Sequence, residues 1–230
     1  MEKRGEKILL ALIKEHIKSG QPVGSEVLVN KYKLGVSSAT VRNELSALEE
    51  GGMIMQPHTS AGRVPTEAAY RFYLEKNKAR KLTDTEEQQL NALLTDTEEQ
   101  NLKQLAKTVA QQSGLAVIWA FHRHNLYYTG IANFLSQPEF NQPNVIYDIS
   151  GIIDRMDEVI DQVFDEISFT PEILLGSANP FSPVCATVIS KYRHGNHTGL
   201  VGILGPMRMC YERNLAIVEY LSQKLNSPII

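Results

Sequence analysis

Two prolines bracket a run of small and polar residues: Gln56-Pro57-His58-Thr59-Ser60-Ala61-Gly62-Arg63-Val64-Pro65. Proline has no backbone donor and a fixed φ, so this run is excluded from a helix and predicts an exposed loop or hairpin tip. Its flanks narrow the choice. Residues 6–19 place Ile8, Leu9, Leu12, Ile13 and Ile17 at helical spacing, with Lys14, Glu15 and Lys18 on the other side and Gly20 as the stop. Ser25 stands as an N-cap for a short helix through Val27, Leu28 and Tyr32. Leu34-Gly35-Val36 makes a turn. Ser37 then caps a helix over 38–50 whose apolar face is Val41, Leu45 and Leu48, ended by Gly51-Gly52. Met53-Ile54-Met55 suits a strand before the proline loop, and Thr66 caps a helix from 67 to about 78. Three short helices followed by strand, loop and strand is the order of a winged helix-turn-helix domain, expected over residues 1–80.

Residues 81–112 form a polar helical connector. The string Leu-Thr-Asp-Thr-Glu-Glu-Gln occurs at 82–88 and again at 94–100. Each copy carries a capping box, Thr83/Glu86 and Thr95/Glu98, so two helix starts are expected, the second running to about Gln112. Two copies are too few for a solenoid. From Leu115 the texture turns to strands: 115–121 and 126–131 around a His122-Arg123-His124-Asn125 turn, 145–149, 173–175, and 184–192 and 200–204 around Arg193-His194-Gly195-Asn196. Helical periodicity over 152–164 and a closing helix over 211–225 complete one antiparallel α+β domain, 113–230.

Composition excludes several classes. At 43% hydrophobic and 21% charged, the 230-residue chain is neither disordered nor collagen-like. The longest apolar run, Leu115 to Phe121, is strand length, so no membrane span is expected. Cys185 and Cys210 form no CxxC pattern, which points to a reducing cytoplasm and to neither a disulfide framework nor a Cys-rich zinc site. The opening Met1-Glu2-Lys3-Arg4 has no secretory apolar segment. The net charge of −3 is uneven: residues 1–80 carry +4 and residues 81–230 carry −7. A basic first third is compatible with nucleic-acid binding.

In a helix-turn-helix the second helix enters the major groove with its N-terminal residues toward the bases. Here these are Ser37, Ser38, Thr40, Val41, Arg42 and Asn43. The Ser38 and Thr40 hydroxyls suit phosphates or bases; Arg42 and Asn43 have the bidentate groups that read guanine and adenine. Adjacent residues point about 100° apart, so at most one of Arg42 and Asn43 sits squarely over the bases. Spacing alone leaves a polar helical hairpin equally open. The loop adds His58, Thr59, Ser60 and Arg63, suited to a minor groove or to phosphates. His122-x-His124 lacks an evident third ligand, so a solvent-facing turn is expected and no metal. Arg208 is expected to pair with Glu212 at helical spacing. Asp154, Asp157, Glu158, Asp161, Asp165 and Glu166 form an acidic helical face, expected to be solvated. No nucleophile–base pair, P-loop or GxGxxG is evident, so no enzyme and no cofactor are expected.

Val23-Gly24-Ser25, Ser38-Ala39-Thr40-Val41-Arg42-Asn43-Glu44, Leu48-Glu49 and above all Pro57-His58-Thr59-Ser60-Ala61-Gly62-Arg63-Val64-Pro65-Thr66 resemble the bacterial heat-inducible transcription repressor (HrcA) family. Leu135-Ser136-Gln137-Pro138-Glu139-Phe140 and Gly205-Pro206-Met207-Arg208-Met209 resemble its later motifs. The resemblance implies a GAF-like domain after the winged helix. It also implies a homodimer on an inverted-repeat operator in double-stranded DNA, repression of class I heat-shock (chaperone) genes, and dependence on the GroE chaperonin. The family usually carries a longer first half of the GAF-like domain, with an inserted dimerisation segment, where this chain has only about Leu115 to Tyr128. It also tends to have an acidic residue where Cys210 stands here. The other reading is a winged-helix regulator whose GAF-like domain senses a small molecule or metal.

Overall fold

The computed structural model describes residues 2–59, 61–77, 80–94, 98–140 and 149–226, with His194 described by its backbone alone. The chain folds as two units, Met1–Lys78 and Ala79–Ile230.

In the first unit, helices α1 (Lys3–Ser19), α2 (Ser25–Tyr32) and α3 (Ser38–Glu50) precede a two-stranded antiparallel hairpin of β1 (Ile54–Met55) and β2 (Val64–Pro65), then α4 (Glu67–Lys76). The periodicity of α1 buries Ile8, Leu9, Leu12 and Ile13 against Leu28 of α2, Val41, Leu45 and Leu48 of α3, and Tyr70 and Tyr73 of α4. Glu15, expected on the polar side of α1, is buried; its carboxylate takes Lys31 Nζ at 2.5 Å and Tyr32 Oη at 3.3 Å. A carboxylate leaves water only where charged and polar partners replace its hydration. Thr66 caps α4 as expected, and its hydroxyl also donates to the carbonyls of Gly52 and Met53 at 2.8 and 3.0 Å.

The second unit opens with α5 (Asp84–Leu93) and α6 (Glu99–Ser113), so the polar connector helices fall within it. Five antiparallel strands follow: β3 (Ala116–His122), β4 (Asn125–Thr129), β5 (Glu172–Leu175), β6 (Cys185–His194) and β7 (His197–Pro206), in the order β4-β3-β7-β6-β5. Alternation sorts the side chains. Ala116, Ile118, Ala120, Ile189, Leu200 and Leu204 face a core with Phe134 of α7 (Ile131–Leu135), Phe140, Ile160 of α8 (Met156–Val163), Phe164 and Phe181. The other face is covered by α6 against β3 and β4, and by α9 (Tyr211–Asn226) against β6 and β7.

On that face Trp119 Nε1 donates to Tyr192 Oη at 2.8 Å, and Tyr192 Oη donates to the Ala120 carbonyl at 3.2 Å. Gly199 makes room, since a Cβ there would lie 2.5 Å from the Tyr192 ring. Burial pushes the Tyr192 phenol above its ordinary range.

Several boundaries differ from expectation. The strand expected over 126–131 ends at Thr129, because Gly130 turns into the left-handed region (φ 78°) and Ile131 starts α7. The helix expected over 152–164 is broken by turn residues Asp154 and Arg155. Of the strand expected over 145–149, only Ile149 is described, and it is helical. Thr95 of the second capping box lies outside the described residues.

The first capping box is complete: Glu86 N–H reaches Thr83 Oγ1 at 3.3 Å and Thr83 N–H reaches Glu86 Oε2 at 3.0 Å. Glu86 also takes Arg80 at 2.6 Å and Arg213 of α9 at 2.9 Å. The Arg80 guanidinium, then Thr83 and Arg213, hold this carboxyl well below the usual carboxylate range. A depressed folded-state value stabilises above the unfolded value of about 4.3, and that stability is lost as pH falls below it. Glu86→Gln should therefore melt below wild type at pH 7, with the gap narrowing as pH falls from about 6 toward 3. A constant gap in melting temperature across that series would contradict the assignment.

Candidate nucleic-acid interface

Helix α3 begins as its sequence dictates. Ser37 Oγ accepts the Thr40 backbone N–H at 3.1 Å and lies 2.9 Å from Thr40 Oγ1. Ser38 Oγ lies 2.9 Å from Ser25 Oγ, joining the first turns of α2 and α3. Ser25 is thus not the N-cap of α2, which is Gly24; it is the first helical residue, and its hydroxyl is taken by Ser38.

The buried stripe of α3 leaves an opposite one exposed: Ala39, Arg42, Asn43 and Ser46, spaced i, i+3, i+4, i+7. Arg42 and Asn43 straddle its middle. The first unit has four arginines. Arg4 pairs with Glu44 at 2.5 Å, Arg63 with Glu49 at 2.8 Å and Arg71 with Glu67 at 2.6 Å. Among the described residues Arg42 alone of the four has a guanidinium with no ion pair, and it stands exposed. A free guanidinium presents a fork of donors that fits a phosphate or the acceptor pair on a guanine edge.

Beside this stripe lies the proline loop. Gln56 Nε2 donates to the carbonyls of Thr59 and Ala61, both at 2.9 Å, and Ala61 N–H reaches the His58 carbonyl at 2.9 Å. These bonds close the turn and leave His58 and Thr59 exposed at its tip. Ser60 lies outside the described residues. At its base, Arg63 and Val23 exchange backbone hydrogen bonds in both directions at 2.9 Å. Gly62 lies so close to Val23 that a Cβ would meet the Val23 carbonyl carbon at 2.5 Å. A cleft of about 460 Å³ opens between Arg42 and Leu45 of α3 on one side and Thr59, Ala61 and Gly62 on the other.

Structure and sequence reading part at some of the expected residues. Arg42 and Thr59 line one cleft, while Asn43 is exposed on α3 and His58 at the loop tip. Ser37 and Thr40 bond each other, Ser38 bonds Ser25, and Arg63 sits at the loop base on Glu49. Glu49 and Val23, which shape the loop, carry no local signal of that role; Gln56 does, as a long amide beside a proline turn.

In the second unit Arg208 does not take Glu212. Its guanidinium bonds Glu139 and, at 2.7 Å, Gln137 Oε1, because α9 starts only at Tyr211 and helical spacing does not reach back to Arg208. His122 Nδ1 faces the His124 backbone N–H at 3.3 Å, and its ring lies 6.0 Å from that of His197. Arg123 pairs with Asp161 at 3.1 Å and with Asp165 of the acidic face. Burial pushes the Cys185 thiol up to about 12, the character of a core residue rather than a nucleophile. Among the described residues no helix is long and apolar enough to cross a membrane, and no group of three or more His, Cys, Asp or Glu could hold a metal ion.

Fold and site together define a mixed α+β protein that sets an arginine-bearing helix face beside a braced, proline-bounded loop. Residues 63–215 match the family model described as HrcA protein C terminal domain, and the chain belongs to the HrcA family. Curated relatives carry the name heat-inducible transcription repressor HrcA. That of Desulforamulus reducens is 52% identical over 88 residues, 38% of this chain and 25% of the relative. That of Carboxydothermus hydrogenoformans is 24% identical over 336 aligned positions, covering 100% of this chain and 98% of the relative. The match to the D. reducens protein thus spans a quarter of that relative's length. A crystal structure of a hypothetical protein superposes with a TM-score of 0.75 at 17% identity, covering 98% of this chain and 96% of that one. It is similar in fold.

Proposed function

We propose that the chain is a bacterial cytoplasmic repressor of heat-shock chaperone genes that binds an inverted-repeat operator as a homodimer. Residues 1–80 act as a winged helix-turn-helix domain; residues 81–112, whose helices pack within the second unit, join it to the GAF-like domain of 113–230, which pairs two winged domains. Arg42 carries the DNA-binding part of the reading. It is the arginine of the first unit left without a carboxylate partner among the described residues, and it sits where a recognition helix reads bases. Asn43, the Ser37–Thr40 end of α3, and His58 and Thr59 of the loop surround it as contacts to bases and phosphates; Ser60, at the loop tip in sequence, belongs to the same set. Family membership supports the repressor role; the GroE chaperonin, as the partner that keeps it active, rests on the motif resemblance alone.

Light scattering with operator duplex titrated in tests the assembly. The reading expects the mass of two chains on one inverted repeat. A chain that stays monomeric on the duplex overturns the dimeric reading.

A further inference from the structure

We propose that Glu49 is a positioning residue for DNA recognition: through Arg63 it latches the proline loop to the far end of α3. The inference rests on the DNA-binding reading above and deepens it.

The geometry points to a latch because Arg63 is held twice. Its backbone exchanges two 2.9 Å hydrogen bonds with Val23, just before α2. Its guanidinium Nε donates to Glu49 Oε2 at 2.8 Å, in the last turn of α3. The side chains of Arg63 and Glu49 are only 20% and 33% exposed. Arg63 is thus the residue where the approach to α2, the end of α3 and the start of β2 meet. The loop tip, His58–Thr59, precedes β2 and is braced within the loop by Gln56. Nothing in that brace fixes the tip relative to α3; the Glu49–Arg63 side-chain pair ties the loop base to α3 directly, beside the Val23–Arg63 backbone bonds that tie it to the approach to α2. A group held at the correct distance before binding avoids the ordering cost on binding.

The alternative is that Arg63 itself contacts DNA. The two accounts give opposite signs for one substitution. If Arg63 is a phosphate contact restrained by Glu49, Glu49→Gln removes a negative charge near the duplex and frees a cation. Affinity then rises and the salt slope steepens by about one. If the pair is a latch, Glu49→Gln lowers affinity about three- to tenfold with the slope unchanged.

The test is a double-mutant cycle of Glu49→Gln, Arg63→Gln and the double variant. Affinity for a selected duplex is measured by anisotropy over a salt series, and amide exchange at Val23 and Arg63 is measured in the free protein. The latch expects both single variants to weaken binding, the double to be no weaker than the worse single, and faster exchange in each. A rise in affinity for Glu49→Gln, or additive effects of opposite sign, overturns the latch while leaving the DNA-binding reading standing. Failure of the wild type to prefer the selected duplex over a scrambled one overturns both.

Discussion

Arg42→Ala lowers operator affinity about 10- to 100-fold, the loss of one bidentate base contact worth about 1–3 kcal/mol, with melting temperature unchanged. The size follows from the absence of competition. A guanidinium already paired with a carboxylate must give up that partner to meet DNA. Arg4, Arg63 and Arg71 are all so paired; Arg42, without such a pair among the described residues, would meet a duplex without that loss. Its exposure on α3 means truncation leaves no buried gap. Anisotropy titrations against the operator and against single-base variants separate two contact types. A base contact relaxes preference at one position; a phosphate contact weakens all sequences alike. Affinity within twofold of wild type would remove Arg42 from the interface.

Gly62→Val lowers affinity at least about tenfold and costs about 1–3 kcal/mol of stability, the worth of the two Val23–Arg63 backbone bonds it disrupts. A Cβ at Gly62 meets Val23 carbonyl carbon, oxygen and nitrogen at 2.5, 2.6 and 2.7 Å, and backbone cannot swing aside as a long side chain can. The loop must lift from α2, which carries His58 and Thr59 away from α3. Gly151, in the second unit, also has nothing within 4 Å of its Cβ position, so Gly151→Ala is the control and should leave binding unchanged. Chemical denaturation together with titration checks both variants. A Gly62→Val protein of wild-type affinity would mean that the loop takes no part in recognition.

The features legible in the sequence are those fixed by local physics. Ser37 capping α3, Thr66 capping α4, and Thr83 with Glu86 are bonds between residues three apart, so a pattern is enough. The proline loop was readable because proline excludes the alternatives. Strands β3, β6 and β7 are long apolar runs closed by turn residues. Where the outcome depended on chain brought in from elsewhere, local reasoning had nothing to work with. Arg208 had a carboxylate four residues on in Glu212, yet takes one far back in the chain, Glu139. Glu15 looked like a solvated helix face until α2 supplied Lys31 and Tyr32. Arg63 read as a loop cation because Glu49 belongs to a different element. Arg42 and Asn43 share the exposed stripe of α3, and the pairing of the other arginines sets Arg42 apart from those arginines, not from Asn43.

The central claim is that α3 and the loop together read double-stranded DNA as a symmetric pair. Selection of bound duplexes from a random pool by the full chain, with Arg42→Ala run in parallel, tests it most directly. The account predicts enrichment of an inverted repeat whose half-sites lie one helical turn or a multiple apart, and loss of that enrichment in the variant. An unenriched pool, or the same repeat selected equally by Arg42→Ala, would contradict it.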